Sequence, residues 1–339
     1  MSSAQAAAWS AGRRPTPEEV APDVWAVAVP IPEGTIPHTL SYVLLSPDGG
    51  VHVIDPGWDH PDVIHALTDA LSGLDRRLED VRTVIATHFH PDHLGAAGRL
   101  REISGAEVML SATEREVLAQ ETAPARLDLD AYASVLDAWE VPGERREELS
   151  ASFGRPSLVD DLEPSRMLGD GDTVVLAGHV LGVVQTPGHT SGHICLIDDG
   201  RRVLYSGDHV LPGIYSGIGI GTLPGSDPLG DYLDSLDRLA PFDEFTVLPG
   251  HEFRFSGLGE RRRQIAEHHL TRTREVAALV DELGDASVWD YARRVTWTSG
   301  WNGLTGFWLH SALRQTELHR DFVRSGRSGR RLTGDATDD

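Results

Sequence analysis

Apolar residues early in the chain come in short β-branched blocks separated by Pro/Gly-rich turns, the pattern of strands. Val24 to Pro30, Leu40 to Leu45 and Val51 to Ile54 read as three strands. The connection Pro32-Glu33-Gly34-Thr35-Ile36-Pro37 is long enough to project as a flap. Pro61 to Leu74 has the spacing of an amphipathic helix, and Val81 to Ala86 reads as a buried strand. A helix to about Ile103 and a strand at Glu107 to Leu110 follow. Between 112 and 166 the texture changes. Leu129, Tyr132, Ala133, Leu136 and Trp139 recur at helical spacing and Glu144 to Leu149 continues it, predicting a helical lid insertion. Strands resume at Thr173–Leu176, Leu181–Gln185, Ile194–Asp198, Val203–Ser206 and Phe245–Leu248, and beyond Glu260 the pattern is mainly helical. Two runs of strands, each followed by helices, predict an α/β protein of two sheets packed face to face with helices outside.

Composition narrows this picture. A chain of 339 residues, 40% hydrophobic and 24% charged, suits one large domain with appended elements. The expected division is a flexible arm at 1–22, a main domain at 23–260 carrying the 112–166 insertion, a C-terminal helical region at 261–324 and a disordered tail at 325–339. No apolar run is long enough to span a membrane, and Met1 to Ala21 lacks the apolar centre of a signal peptide. Cys195 is the single cysteine, so no internal disulfide forms. A cytoplasmic protein is expected. The formal charge of −22 disfavours a nucleic-acid partner. All 30 basic residues are arginines, which excludes a Schiff-base lysine or a phosphate loop built on lysine.

The chemistry concentrates in Thr87-His88-Phe89-His90-Pro91-Asp92-His93-Leu94-Gly95, three imidazoles and one carboxylate within six residues. The cluster lies where a strand ends and a helix begins, the place where open α/β sheets form binding crevices. Imidazole and carboxylate without cysteine suit zinc or a similar divalent metal. Three further strands run into a tight turn and then one ligand-capable side chain: His189 after Thr186-Pro187-Gly188, Asp208 after Ser206-Gly207, and His251 after Leu248-Pro249-Gly250. His193 is expected to support the ligands from behind, Cys195 and Tyr205 to pack in the core, and His209 to point away from the site. His268 and His269 read as solvated on a charged helix, and Trp297, Trp301 and Trp308 as hydrophobic anchors. His38 and Tyr42, near the flap, lie within possible reach of the pocket.

In order and spacing, Asp55, His88/His90/Asp92/His93, His189, Asp208 and His251 resemble the metallo-β-lactamase superfamily from about Val24 to Glu252. That resemblance implies a four-layer αββα sandwich with two zinc ions at one edge, iron or manganese being alternatives. It assigns His88, His90 and His189 to one metal, Asp92, His93 and His251 to the other, and Asp208 to both. Asp55 would orient ligands from behind them. The implied reaction is hydrolysis, a metal-bridging hydroxide attacking a carbonyl while Asp92 orients it and relays its proton. The motif style is closest to glyoxalase II-like enzymes and carrier-type thioesterases, so a small or carrier-linked thioester or ester is the expected substrate. Lactone hydrolysis is the alternative, and RNA cleavage a more distant one. The C-terminal segment resembles the winged-helix-like region of one branch of the superfamily. A homodimer fits this reading; a membrane partner does not.

Overall fold

The computed structural model describes residues 1–32, 36–123, 129–153, 160–297 and 300–333. After helix α1 (Ser3–Ser10), seven strands form one sheet in simple chain order. These are β1 (Glu18–Ala21), β2 (Val24–Pro30), β3 (His38–Leu45), β4 (Val51–Ile54), β5 (Val81–Ile85), β6 (Glu107–Ser111) and β7 (Arg166–Leu168). Pairing is antiparallel as far as β4 and parallel beyond it. Parallel neighbours need crossovers. α2 (Pro61–Ser72) supplies the first, α3 (Pro91–Leu94) with α4 (Ala97–Ser104) the second. The third is α5 (Ala112–Glu121), α6 (Leu129–Ala138) and α7 (Gly143–Phe153), so the predicted insertion is a long helical crossover between β6 and β7.

The second sheet holds β8 (Thr173–Leu176), β9 (His179–Gln185), β10 (Ile194–Asp198), β11 (Val203–Gly207) and β12 (Thr246–Pro249), in the order β12-β11-β10-β9-β8. Helix α8 (Pro228–Arg238) carries the chain from β11 to its parallel neighbour β12. Leu40, Tyr42, Ile54 and Ile85 of the first sheet meet Leu181, Ile194, Leu196 and Leu248 of the second in a central core. Val63, Leu67 and Leu71 of α2 and Leu100 of α4 cover the outer face of the first sheet. Leu229, Leu233 and Leu236 of α8 cover the second, with Ile265 of α9 (Leu258–Leu283). The layers are αββα, as expected.

The rest of the C-terminal region is α10 (Val288–Ala292), α11 (Gly306–Arg324) and α12 (Ser328–Thr333). Leu136, Trp139 and Leu149 of the crossover pack against Val288, Leu309 and Leu313, a separate core that ties the crossover to the C-terminal helices.

Several expectations are corrected here. Residues 1–22 are a docked segment: Ser2 Oγ donates to Glu18 Oε2 (2.6 Å), Gln5 Oε1 accepts from Arg254 N (2.8 Å), and β1 pairs with β2. The boundary at 260 falls inside α9. Beyond it the described residues are helical, with no β-hairpin to form a wing. The tail carries α12, and Arg327 pairs with Asp227 (2.8 Å) and Asp234 (2.9 Å) of the α8 region, so charge complementarity orders a segment that has no core-forming residues. Trp297 and Trp301 pack as expected, whereas Trp308 is exposed. His269 is buried beside Tyr232 and His319 rather than solvated, and His268 stacks on Tyr215. The flap residues 33–35, the tail residues 334–339 and the side chain of Leu129 lie outside the described residues.

Candidate metal centre

Strand ends from both sheets converge at one edge of the sandwich. Asp55 follows β4, His88 to His93 follow β5, His189 follows β9, Asp208 follows β11 and His251 follows β12. The donor atoms form three overlapping groups: His88, His90 and His189; His88, His93 and Asp208; and Asp92, His93 and His251. Within each, all ligand atoms lie within 4.8 Å of one another. Every residue expected as a ligand is in this cluster.

Hydrogen bonds around the cluster set the orientation of each ring. Thr87 Oγ1 donates to Asp55 Oδ2 (2.8 Å), which uses its only hydrogen, so it accepts from His88 Nδ1 (3.0 Å). His189 Nδ1 donates to the Gly217 carbonyl (2.7 Å), His90 Nε2 to Ile220 O (3.2 Å) and His251 Nδ1 to His38 O (3.0 Å). His93 Nδ1 donates to Asp55 Oδ2 (2.9 Å). On His88, His90 and His189 the proton therefore sits on the outward nitrogen and the inward nitrogen presents a lone pair, while the inward nitrogens of His93 and His251 face Asp208 and Asp92. His90 Nδ1 lies 3.0 Å from His88 Nε2 and 3.1 Å from His189 Nε2, while His93 Nε2 lies 3.4 Å from His251 Nε2. Ring nitrogens this close repel unless a cation or a shared proton lies between them. The donor set fits divalent metal.

The carboxylates complete it. Asp208 is buried; its Oδ1 accepts no hydrogen bond and faces His93 Nε2 (3.4 Å) and His251 Nε2 (3.3 Å), while Oδ2 faces His189 Nε2 (3.8 Å). Asp92 Oδ2 lies 3.3 Å from His251 Nε2. Burial works against charging His93, but Asp208, Asp92 and Asp55 outweigh it and raise its pKa to about 9. Burial likewise opposes the charge on His251, which Asp208 and Asp92 push well above its ordinary range. Around His90, burial and the His189 ring lower the pKa to about 3. The site thus has a neutral imidazole side and an anionic side.

The surrounding residues hold this arrangement. Asp55 Oδ1 also accepts from Thr87 N (2.7 Å), so one carboxylate fixes both the end of β5 and the His93 ring. His193 accepts from Asp208 N (3.2 Å) and bonds Thr186 Oγ1 (2.8 Å), a supporting position as expected. His209 turns away, onto His193 and Tyr232. Cys195 and Tyr205 are core, and Tyr42 OH donates to Pro249 O (2.7 Å) beneath the site. His38 contributes its carbonyl, and its ring packs edge-on against Trp9. A Cβ at Gly250 would lie 2.5 Å from Asp208 Oδ1 and 2.7 Å from His93 Cε1, so only glycine allows His251 to reach the cluster.

Two buried carboxylates escaped the sequence reading. Glu114, in the first turn of α5, accepts from Phe89 N (2.8 Å), Thr190 Oγ1 (2.6 Å) and Gly192 N (2.7 Å), tying the His88–His90 loop to the His189 loop. Burial raises its pKa to about 7 against those hydrogen bonds. Glu252 Oε2 accepts from Gly213 N (2.7 Å) and Ile214 N (2.9 Å), anchoring the segment that leads to Gly217. A weak signal existed for each: Glu114 lies three residues after the N-cap Ser111, and Glu252 directly follows His251.

An αββα sandwich with strand-end histidines and aspartates gathered at one edge defines a class, and comparison with known families agrees. The model of the Metallo-beta-lactamase superfamily matches residues 35–251, and the chain belongs to that superfamily. Among relatives, it is 32% identical over 194 residues to the acyl-coenzyme A thioesterase MBLAC2 of Gallus gallus, covering 56% of this chain and 62% of that protein. It is 27% identical over 217 residues to the hydroxyacylglutathione hydrolase GloC of Haemophilus influenzae, covering 62% and 84%. Among solved structures, a metallo-beta-lactamase family protein from Thermus thermophilus superposes with a TM-score of 0.71 at 26% identity, covering 91% of this chain and 95% of that one. A beta-lactamase domain protein from Burkholderia ambifaria gives 0.69 at 25%, covering 94% and 89%. No helix among the described residues is long and apolar enough to cross a membrane.

Proposed function

We propose that the protein is a dinuclear metal-dependent hydrolase of thioesters. The reading is carried by the inward-facing ring nitrogens of His88, His90, His189, His93 and His251, with Asp92 and Asp208 among them. His88, His90 and His189 would hold one ion, Asp92, His93 and His251 the other, and Asp208 both, since its two oxygens face the two sides. Zinc suits this nitrogen and oxygen set, with iron and manganese as alternatives. When bound, such ions polarise a carbonyl and lower the pKa of water toward neutrality.

The chain's own residues then do the rest. Asp92 is the partly exposed acid of the cluster; burial acts to raise its pKa, but His93 and His251 outweigh it and hold it at about 2. It is ionised at neutral pH and accepts the O–H of a water, fixing its orientation toward the substrate carbonyl. Asp55, Glu114 and His193 keep the ligands from turning away. A thiolate is a good leaving group and needs no strong general acid. Thioesters are favoured as substrates because both relatives cited act, by name, on acyl-coenzyme A or hydroxyacylglutathione.

The test is release of free thiol from acyl-coenzyme A, acyl-carrier and lactoylglutathione substrates by metal-loaded protein, alongside elemental analysis. Two metal equivalents per chain and thiol release abolished by His90→Ala are expected. Full metal loading with no turnover on any thioester would remove the thioesterase reading; turnover of a lactone instead would assign the site to ring esters.

A further inference from the structure

Beside the metal centre runs a groove of about 560 Å³ between α6, the 217–221 segment and the first half of α11. Its walls include Val135 from α6, Trp139 just beyond that helix, Ile218 and Ile220 from the segment, and Phe307 from α11. Several polar atoms at its side are committed to one another. Tyr132 OH bonds His310 Nδ1 (2.8 Å), Trp139 Nε1 donates to Glu317 Oε1 (2.8 Å), and Arg314 Nη1 donates to Glu317 Oε2 (2.5 Å). The rings and aliphatic side chains of Val135, Trp139, Ile218, Ile220 and Phe307 line the groove. Phe307 is 61% exposed, Ile220 46% and Val135 38%, an accumulation of apolar surface in water that marks binding grooves.

The position of this groove gives it a purpose. The carbonyl of Gly217 accepts from His189 and that of Ile220 from His90, so the backbone segment that forms the groove's wall is the one that orients two ligands of the metal cluster. The groove and the cluster are thus separated by this one backbone segment. The volume lies within the range of small-molecule sites.

We propose that this groove holds the hydrocarbon chain of the acyl group, which makes the substrates long-chain rather than short-chain thioesters. The inference rests on the thioesterase reading above and names its substrate class. The thiol carrier is a poorer occupant. Its phosphates call for uncommitted cations, whereas the arginine lining the groove, Arg314, is already paired with Glu317.

The chain alone can be tested without turnover. Calorimetric titration with neutral primary alcohols from about hexanol to about dodecanol tests the groove in the full-length protein, because an alcohol carries no carboxylate to compete for the metal cluster. Binding should tighten roughly two- to fourfold per added methylene, with a negative heat-capacity change. Phe307→Ser and Ile220→Ser, both at exposed positions, should weaken the longest alcohol about tenfold while leaving the melting temperature in place. In hydrolysis assays kcat/KM should rise with acyl length, and the same substitutions should flatten that rise. Alcohols that fail to bind, or that bind wild type and both variants equally, would overturn the proposal, as would hydrolysis indifferent to chain length; thiol release would then still support the thioesterase reading. Length-dependent binding that both substitutions weaken, without hydrolysis of any thioester, would keep the apolar groove and remove the thioesterase reading instead.

Discussion

Glu114 offers a sharp test of how the metal loops are held, because its two roles oppose each other as pH changes. Its carboxyl accepts three hydrogen bonds from the loops bearing His88, His90 and His189, yet it is buried and its pKa is raised from 4.5 to about 7. A folded-state pKa above the unfolded value means that the fold favours the neutral acid. The stability that this preference contributes is fully present below about pH 4.5 and is lost as the pH rises through about 7. Linkage applied to those two values gives a loss of about 2 kcal/mol between about pH 5.5 and about pH 8.5. Glu114→Gln keeps the shape but does not titrate. Its amide NH₂ must face at least one of the loop N–H or O–H donors, costing about 1–3 kcal/mol. The wild type should therefore exceed the variant in stability at the lower pH, and this margin should shrink by about 2 kcal/mol at the higher pH. Urea unfolding of both proteins at both pH values, at matched metal content, measures that double difference, in which titration of the metal ligands is common to both proteins. A margin equal at the two pH values would refute the reasoning.

Other residues lead to further measurements. His90→Ala removes a nitrogen shared by the His88–His189 side, and elemental analysis should show loss of about one metal equivalent with turnover reduced at least a thousandfold. Asp55→Ala releases the hydrogen bonds to Thr87 and His93, so metal affinity should fall about 10- to 100-fold, read by competition with a chelator, while the far-UV spectrum is retained. Metal binding should release about two protons near neutral pH, because His93 and His251 are raised above it and must lose their protons to become ligands. Calorimetry in buffers of different ionisation enthalpy counts those protons, and zero release would contradict the assigned anionic side. Gly250→Ala places a methyl 2.5 Å from Asp208 Oδ1, and weakened metal retention is expected before any change in melting temperature of the metal-free protein.

Much of the site was legible because its ligands follow strands in short turns. A strand such as β5 announces itself by its apolar run, and His88 and His90 just after it must lie near the sheet edge. Glu114 was not legible in the same way. In sequence it is one acid among several on a charged helix, and its partners Phe89, Thr190 and Gly192 lie 25, 76 and 78 positions away. From sequence, residues 1–22 read as a flexible arm and 325–339 as a disordered tail because hydrophobic pattern detects packing by apolar faces. These segments dock through polar pairs as well, Glu18 with Arg254 and Arg327 with Asp227 and Asp234. His269 looked solvated because neighbouring arginines and glutamates mark its helix as charged, yet the 3.6-residue period turns it inward, against Tyr232.

By itself the sequence determined the layer order, the strands that end at the site and the identity of the side chains that gather in the cluster. All of these depend on local periodicity and on residue chemistry. Tertiary structure decided which nitrogen of each histidine faces inward, since carbonyls of Gly217, Ile220 and His38, distant in the chain, set the tautomers. It also decided that Tyr132 and Trp139 of the crossover meet Phe307 and His310 of the last long helix to wall a groove. Such contacts join residues more than 150 positions apart, and hydrophobic pattern records only that each needs burial, not which partner provides it.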